Sequence, residues 1–220
     1  MTTVEKTRTP RVGVLAVQGD FAAHLAALER LGVPAVEVRT PAELSALDGV
    51  ILPGGESGAH IRILKENGMW DALRAFHSSG GALWGTCAGL ILLAKNVTNP
   101  PQDSLGLIDI DVVRNGWGRQ IDSFEADVPF TDWGDIAAPA ASEPAVLRLV
   151  FIRAPRISRV GPEARVLLSI EGEPIAVVQE RVLVTTFHPE MTGDASIHRW
   201  FVERVVVAGG DSVSHSRSAT

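Results

Sequence analysis

The lone cysteine of the 220-residue chain, Cys87, lies in the segment Gly85-Thr86-Cys87-Ala88-Gly89, between two apolar runs. Small residues around a nucleophile at such a place are typical of a strand that turns sharply into a helix. The turn presents the central side chain at the carboxyl end of a sheet, where the helix directs unpaired N–H groups and its positive dipole end. Because a thiol there is expected to ionise more readily than a free one, Cys87 is predicted to be a nucleophile rather than a buried small side chain.

A cysteine nucleophile needs an acid–base partner, and histidine is the usual one because it titrates near neutrality. Among the six histidines, His188 lies just past the predicted strand Val182–Thr186, at the edge where sites of open α/β sheets gather. Glu190, two residues later, is placed to hold the imidazole as the third member of a triad. The other five fall in helical patterns or the C-terminal segment and are predicted to be packed or solvated: His24, His60, His77, His198 and His215.

A Gly-Gly turn, Pro53-Gly54-Gly55-Glu56-Ser57, follows the predicted strand Gly49–Leu52. Paired glycines let the backbone approach a ligand and direct N–H groups towards it, as in an oxyanion hole. The segment lacks the Gly-Lys-Ser/Thr ending of a phosphate-binding loop, and Gly13 is not part of a dinucleotide fingerprint, so nucleotide binding is not predicted. No metal site is predicted either, because the histidines and carboxylates do not fall at ligand spacings.

The elements that position these residues alternate between strand and helix in the first half of the chain. Continuous apolar runs predict strands buried on both faces of a parallel sheet, at Val12–Val17, Ala35–Val38, Gly49–Leu52 and Ala82–Trp84. Helices are predicted between and after them, at Asp20–Leu31, Pro41–Leu47, Ala59–Asn67, Trp70–Ser78 and Leu90–Lys95.

After Pro100-Pro101 the pattern changes to short strands separated by turn residues, followed by a closing helix over Ala195–Val207. The strands are predicted at Leu107–Val113, Leu147–Ile152, Val166–Ile170, Ile175–Val178 and Val182–Thr186. The predicted fold is therefore α/β: a three-layer, doubly wound, mostly parallel sheet with added antiparallel strands that extend its far edge.

Length and composition predict one domain over residues 11–208, with flexible tails at 1–10 and 209–220 and an exposed loop at Thr131–Pro144.

The net charge of −6, without a cluster of Lys and Arg, argues against nucleic acid or a membrane surface as partner. No apolar run approaches the roughly 20 residues of a membrane span. A single cysteine cannot form an internal disulfide, and the polar N-terminal segment lacks signal-peptide character, so a cytoplasmic protein is predicted.

Three of these segments, in this order, resemble the class I glutamine amidotransferases, whose Cys-His-Glu triad releases ammonia from glutamine: Gly54–Ser57, Gly85–Gly89 and His188–Glu190. Four others resemble, more narrowly, the glutaminase subunits of pyridoxal 5′-phosphate synthase, the PdxT/SNO family: Leu15–Gly19, Arg114–Gln120, Asp122–Ala126 and Phe151–Pro155. The resemblance covers about residues 11–207.

The resemblance implies that Cys87 attacks the side-chain amide of L-glutamine, that His188 transfers the protons and that Glu190 orients the imidazolium. It also implies an oxyanion hole built from backbone N–H groups of Gly55 and Ala88. Substrate contacts are implied at six positions: Gly55, Glu56, Ser57, Arg114, Ile152 and Arg153. No cofactor is implied.

The resemblance further implies a partner, a (β/α)₈-barrel synthase subunit that receives the ammonia in a hetero-oligomeric complex and whose docking activates the glutaminase. Gln18, at the family's position beside the oxyanion loop, is a candidate link between docking and that loop. This chain departs from the family pattern where Gly58-Ala59-His60 replaces the usual Thr-Thr. Two alternatives stay open: a class I amidotransferase subunit serving another pathway, and a non-catalytic regulatory homologue that docks on the synthase but has lost turnover through this change.

Overall fold

The computed structural model describes residues 9–114, 116, 123–129 and 146–208. The predicted tails lie outside these residues except for positions 9 and 10, and the predicted loop Thr131–Pro144 lies wholly outside them. Of the family-like segment Arg114–Gln120, only Arg114 and Gly116 are described. The matched segments that form the candidate site, by contrast, fall within the described part of the chain.

The strands of the described chain are β1 Val12–Leu15, β2 Ala35–Val38, β3 Gly49–Leu52, β4 Ala82–Thr86, β5 Ala94–Thr98, β6 Ile108–Val113, β7 Ser123–Pro129, β8 Val146–Ile152, β9 Arg156–Val160, β10 Arg165–Ile170, β11 Glu173–Gln179 and β12 Val182–Thr185. Seven of them form a central sheet in the order β10-β11-β12-β4-β3-β1-β2. The five strands from β12 to β2 are parallel, whereas β11 is antiparallel to both of its neighbours. The prediction of a mostly parallel α/β sheet is confirmed.

The helices are α1 Phe21–Arg30, α2 Ser57–Glu66, α3 Met69–Ser78, α4 Ala88–Leu93 and α5 Ser196–Trp200, which continues as a π-helix over Phe201–Val207. Within the described ranges, two 3₁₀ turns cover Pro41–Ala46 and Pro189–Met191. Side chains alternate across the parallel strands, so that Leu83 faces a core with α2, α3 and α4, while Trp84 faces a core with α1 and α5. The central sheet is therefore covered on both faces, as its apolar strands require.

The added strands differ from the prediction, because among the strands of the described residues only β10 and β11 extend the central sheet. Strands β5, β6 and β9 form a separate sheet, and β7 pairs with β8 in a two-stranded ribbon. The helix predicted over Leu90–Lys95 is wrong at both ends, because α4 begins at Ala88 and Ala94 already belongs to β5, which pairs with β6. Strands β5 and β9 carry few buried apolar residues, which is why their sequences gave little strand signal.

Candidate active site

Cys87 occupies the sharp turn that the sequence predicts between β4 and α4. Its backbone has a positive φ of 48°, which is strained for a residue other than glycine. A Cβ on Gly85 would collide with the carbonyl oxygen of Gly89, and a Cβ on Gly89 would collide with that of Leu52. The flanking glycines are therefore what allows strand and helix to meet closely enough to hold Cys87 in this conformation.

His188 and Glu190 follow β12, the neighbour of the strand that leads to Cys87. The His188 backbone N–H donates to the carbonyl oxygen of Val150 at 2.8 Å, which fixes the chain against β8. Its ring atom Nδ1 lies 2.8 Å from Glu190 Oε1, and both side chains are buried. The Cys87 Sγ lies 3.8 Å from the carbonyl oxygen of Ile152 in β8. The structure thus brings the three predicted triad residues to one place, at the carboxyl ends of β4 and β12.

The electrostatics of this cluster favour a charged His188. Burial by itself disfavours the imidazolium, but interactions with the Cys87 sulfur and the Glu190 carboxylate outweigh it and raise the pKa of His188 to about 10. His188 therefore carries a proton at neutral pH and faces a cysteine on one side and a carboxylate on the other. Such a group can donate a proton to a departing amine.

A cavity of about 370 Å³ opens in front of these residues. Its wall is formed by Gly55, Glu56, Ser57, Cys87, Ala88, Ile91, Arg114, Ile152, Arg153 and His188. Every one of these except Ile91 is a site residue predicted from the sequence, while Glu190 lies behind His188. Ile91 lies three residues after Ala88 and hence on the same face of α4, a spacing from which it could have been found.

Gln18 lies directly against the Gly-Gly turn. Its side-chain Oε1 accepts a hydrogen bond of 3.1 Å from the backbone N–H of Glu56. Gly55 has a φ of 143°, and a Cβ there would lie 3.1 Å from both Gln18 Oε1 and His60 Cε1. The buried His60 ring in turn contacts the Gln18 carbonyl oxygen through Nε2 at 3.1 Å. Gln18 and His60 together fix the backbone of the turn.

Glu56 fills the place of a helix cap at the start of α2. Its carboxylate accepts hydrogen bonds from the N–H groups of Gly58 and Ala59 at 2.9 and 2.6 Å, and these bonds hold the pKa of Glu56 below its usual range. The capping that hydroxyls at positions 58 and 59 could supply is thus already present. Arg114 Nη2 lies 3.7 Å from Glu56 Oε1, so the far end of the cavity carries both charge signs.

The described residues contain no group of three His, Cys, Asp or Glu side chains that could hold a metal ion. In the same part of the chain, no helix combines the length and apolar character needed to cross a bilayer.

Comparison with known proteins agrees with the geometry. Residues 14–207 match the SNO glutamine amidotransferase family. A relative from Deinococcus radiodurans named pyridoxal 5′-phosphate synthase subunit PdxT is 53% identical over 196 residues, which cover 87% of this chain and 95% of the relative. A protein of the same name from Solibacter usitatus is 48% identical, covering 89% of this chain and 99% of its own.

Solved structures show the same likeness. One described as a glutamine amidotransferase superposes with a TM-score of 0.79 at 42% identity, over 89% of this chain and 99% of its own. The PurLQS structure from Thermotoga maritima superposes with a TM-score of 0.63 over 90% of this chain and 99% of its own. At 16% identity, that second likeness is one of fold alone.

Proposed function

The chain belongs to the SNO glutamine amidotransferase family, and we propose that it is the glutaminase subunit of a pyridoxal 5′-phosphate synthase, hydrolysing L-glutamine to L-glutamate and ammonia. One observation carries the proposal: a cysteine on a strained turn shares a cavity with a histidine that a buried carboxylate holds at 2.8 Å. The names and identities of the relatives support the substrate and the pathway.

In the proposed reaction the Cys87 thiolate attacks the side-chain amide carbon of glutamine. His188 gives its proton to the amide nitrogen, the carbon–nitrogen bond breaks and ammonia leaves a glutamyl thioester on Cys87. The neutral imidazole then takes a proton from water while the water oxygen attacks the thioester carbon. Collapse of this second intermediate breaks the carbon–sulfur bond, releases glutamate and returns Cys87 and His188 to their starting states. Glu190 stabilises the imidazolium in both halves.

Each tetrahedral intermediate places a negative charge on the former amide oxygen. Ala88 is the first residue of α4, so its N–H has no partner within the helix and lies at the positive end of the helix dipole. The Gly55 N–H is the second proposed donor, and the Gln18 contact with the next N–H supports the turn that carries it. Loss of one such donor costs roughly 3–4 kcal/mol in well-studied hydrolases.

The charged ends of glutamine are proposed to bind at the far wall of the cavity. The guanidinium groups of Arg114 and Arg153 suit the α-carboxylate, because each can donate two parallel hydrogen bonds. The Glu56 carboxylate suits the α-ammonium group. Ser57 and the backbone of Ile152 complete the proposed contacts.

The partner in this proposal is a (β/α)₈-barrel synthase subunit, which receives the ammonia in a cytoplasmic complex. Its docking is proposed to act on the Gly-Gly turn through Gln18. Ammonia release from L-glutamine, measured with and without that subunit, tests the proposal. Release that depends on the barrel subunit is expected. Release that depends instead on a different acceptor subunit indicates another amidotransferase pathway, and no release with any subunit indicates a non-catalytic homologue.

A further inference from the structure

A line of buried polar side chains continues behind the triad. Glu190 Oε1 is the oxygen that contacts His188, while Glu190 Oε2 lies 3.3 Å from Nε2 of His24 in α1, and both of these side chains are fully shielded from solvent. His24 Nδ1 lies 2.9 Å from Nε2 of His198 in α5. The sequence predicts only a packed or solvated role for both histidines, yet the fold places them in series with Glu190.

Both rings are neutral. Burial, together with the nearby His198 and His188, lowers the pKa of His24 well below its usual value. Burial and the charge of Arg30 lower the pKa of His198 to about 3. Each ring therefore carries one N–H, and the short contact between His24 Nδ1 and His198 Nε2 needs a proton on one side and a lone pair on the other.

Two independent observations select the same arrangement of these protons. Within the described residues, Glu190 Oε2 is buried and accepts no hydrogen bond of good geometry. His24 Nε2 lies 3.3 Å away, and it satisfies this oxygen only if it carries a proton, because an unprotonated nitrogen would place its lone pair against those of the carboxylate. In the same part of the chain, His198 Nδ1 is buried without a partner. An orphaned buried N–H is rarer than an orphaned lone pair, so the His198 proton belongs on Nε2, where His24 Nδ1 can accept it.

We propose that His24 is a positioning residue of the active site, which donates from Nε2 to Glu190 Oε2, and that His198 fixes this tautomer by donating to His24 Nδ1. His24 Nε2, the nitrogen that faces Glu190, also lies 3.4 Å from the hydroxyl oxygen of Thr86, the residue before Cys87. One imidazole thus contacts both the strand end that carries the nucleophile and the carboxylate that orients the base. The effect on catalysis rests on the function proposed above, whereas the proton arrangement does not.

The packing keeps this imidazole in place. The Trp84 ring packs nearly perpendicular to both imidazoles, with centroid separations of 5.7 Å to His24 and 4.9 Å to His198. With its second oxygen held by His24, the Glu190 carboxylate keeps Oε1 directed at His188. Without that donor, the carboxylate is free to rotate in its pocket, and the orientation of His188 is lost with it.

The proton arrangement is tested directly by nitrogen NMR of the full chain with ¹⁵N-labelled histidine, using His24→Gln and His198→Gln variants to assign the signals. The expected result is a neutral His24 and a neutral His198, each protonated on Nε2. Protonation of His24 on Nδ1, or a doubly protonated His24, would overturn the proposal. This measurement requires no catalytic activity, so its outcome is independent of the proposed function.

The effect on catalysis is tested with His24→Leu, which removes the donor, and His24→Gln, whose amide N–H replaces Nε2–H. We expect His24→Leu to lower kcat about tenfold with little change in KM, and His24→Gln to recover most of the loss. The matched control is His77→Gln, at a half-buried position of α3 where the ring atom Nδ1 lies 3.2 Å from the Gly81 carbonyl oxygen, and this variant is expected to keep kcat.

Thermal unfolding of each variant separates misfolding from misplacement of Glu190. Equal losses of kcat in His24→Leu and His24→Gln, with unfolding temperatures near that of the parent chain, would overturn the positioning role. Absence of glutaminase activity in the parent chain with the barrel subunit would overturn the proposed function instead.

Discussion

The imidazole of His188 lies against Gly54 so closely that a Cβ on Gly54 would collide with its Cε1 atom and lie 2.9 Å from Nδ1. The Gly-Gly turn and the triad are therefore in direct contact. Since Gln18 and His60 hold the other side of this turn, a displacement there changes both the proposed oxyanion hole and the position of the base. This contact is a physical route for the proposed effect of the docked synthase subunit on the site.

Gly54→Ala is expected to abolish most activity while leaving the fold intact. The methyl group displaces the His188 ring, and a misplacement of about 1 Å costs about a hundredfold in rate. Glutaminase kcat with the barrel subunit is the measurement. Gly193→Ala, at a glycine where a Cβ meets no atom within 4 Å, is the control and keeps its activity. A Gly54→Ala enzyme as active as this control contradicts the coupling.

Gln18→Leu is expected to lower kcat about tenfold, because the Glu56 N–H loses its acceptor and the turn loses its restraint. Gln179→Leu is a matched control, since Gln179 Oε1 also accepts one backbone N–H, from Asp109 at 2.8 Å, far from the cavity. Both variants lose one hydrogen bond and should lose similar stability in denaturant unfolding. A similar loss of kcat in both would show that Gln18 acts through stability alone.

Restoring threonines with Gly58→Thr and Ala59→Thr is expected to change kcat/KM by no more than about twofold, because Glu56 already caps α2. A Cβ on Gly58 lies 3.2 Å from Glu56 Oε1, the end of a flexible side chain that can shift slightly. Steady-state kinetics of the double variant with the barrel subunit checks this. A gain in kcat/KM of about tenfold or more would mean that Gly58 and Ala59, where the family has threonines, impair this enzyme.

The raised pKa of His188 predicts how stability depends on pH. The folded protein holds this proton more tightly than the unfolded chain, whose histidine titrates near 6.5. The stabilisation is therefore fully present below about pH 6.5 and is lost as the pH rises towards about 10. Denaturant unfolding of the parent chain and of His188→Gln across this range checks the prediction. The difference in unfolding free energy between the two should shrink with rising pH, and a growing difference would contradict it.

The sequence pattern was sufficient for the nucleophile, the base and the oxyanion turn, whereas the substrate contacts at Arg114, Ile152 and Arg153 came from the resemblance to the family alone. Cys87, His188 and the Gly-Gly turn all follow apolar runs, and parallel strands end at one edge of the sheet. His24 could not be found in this way, since its partner His198 is 174 positions away and only the packing of α1 against α5 joins them. Strand β9 was missed for a similar reason: Ile157 is its one fully buried residue, and its pairing with β6 decides its structure.

Ammonia release by Cys87→Ala, measured beside the parent chain with L-glutamine and the barrel synthase subunit, is the decisive test of whether Cys87 is the nucleophile of a glutaminase. The substitution replaces only the thiol group by hydrogen, and thermal unfolding is the check that the variant is folded. We expect the parent chain to release ammonia in the complex and Cys87→Ala to release none above background. Ammonia release by Cys87→Ala at the parent rate would contradict the assignment of Cys87 as the nucleophile and the mechanism built on it.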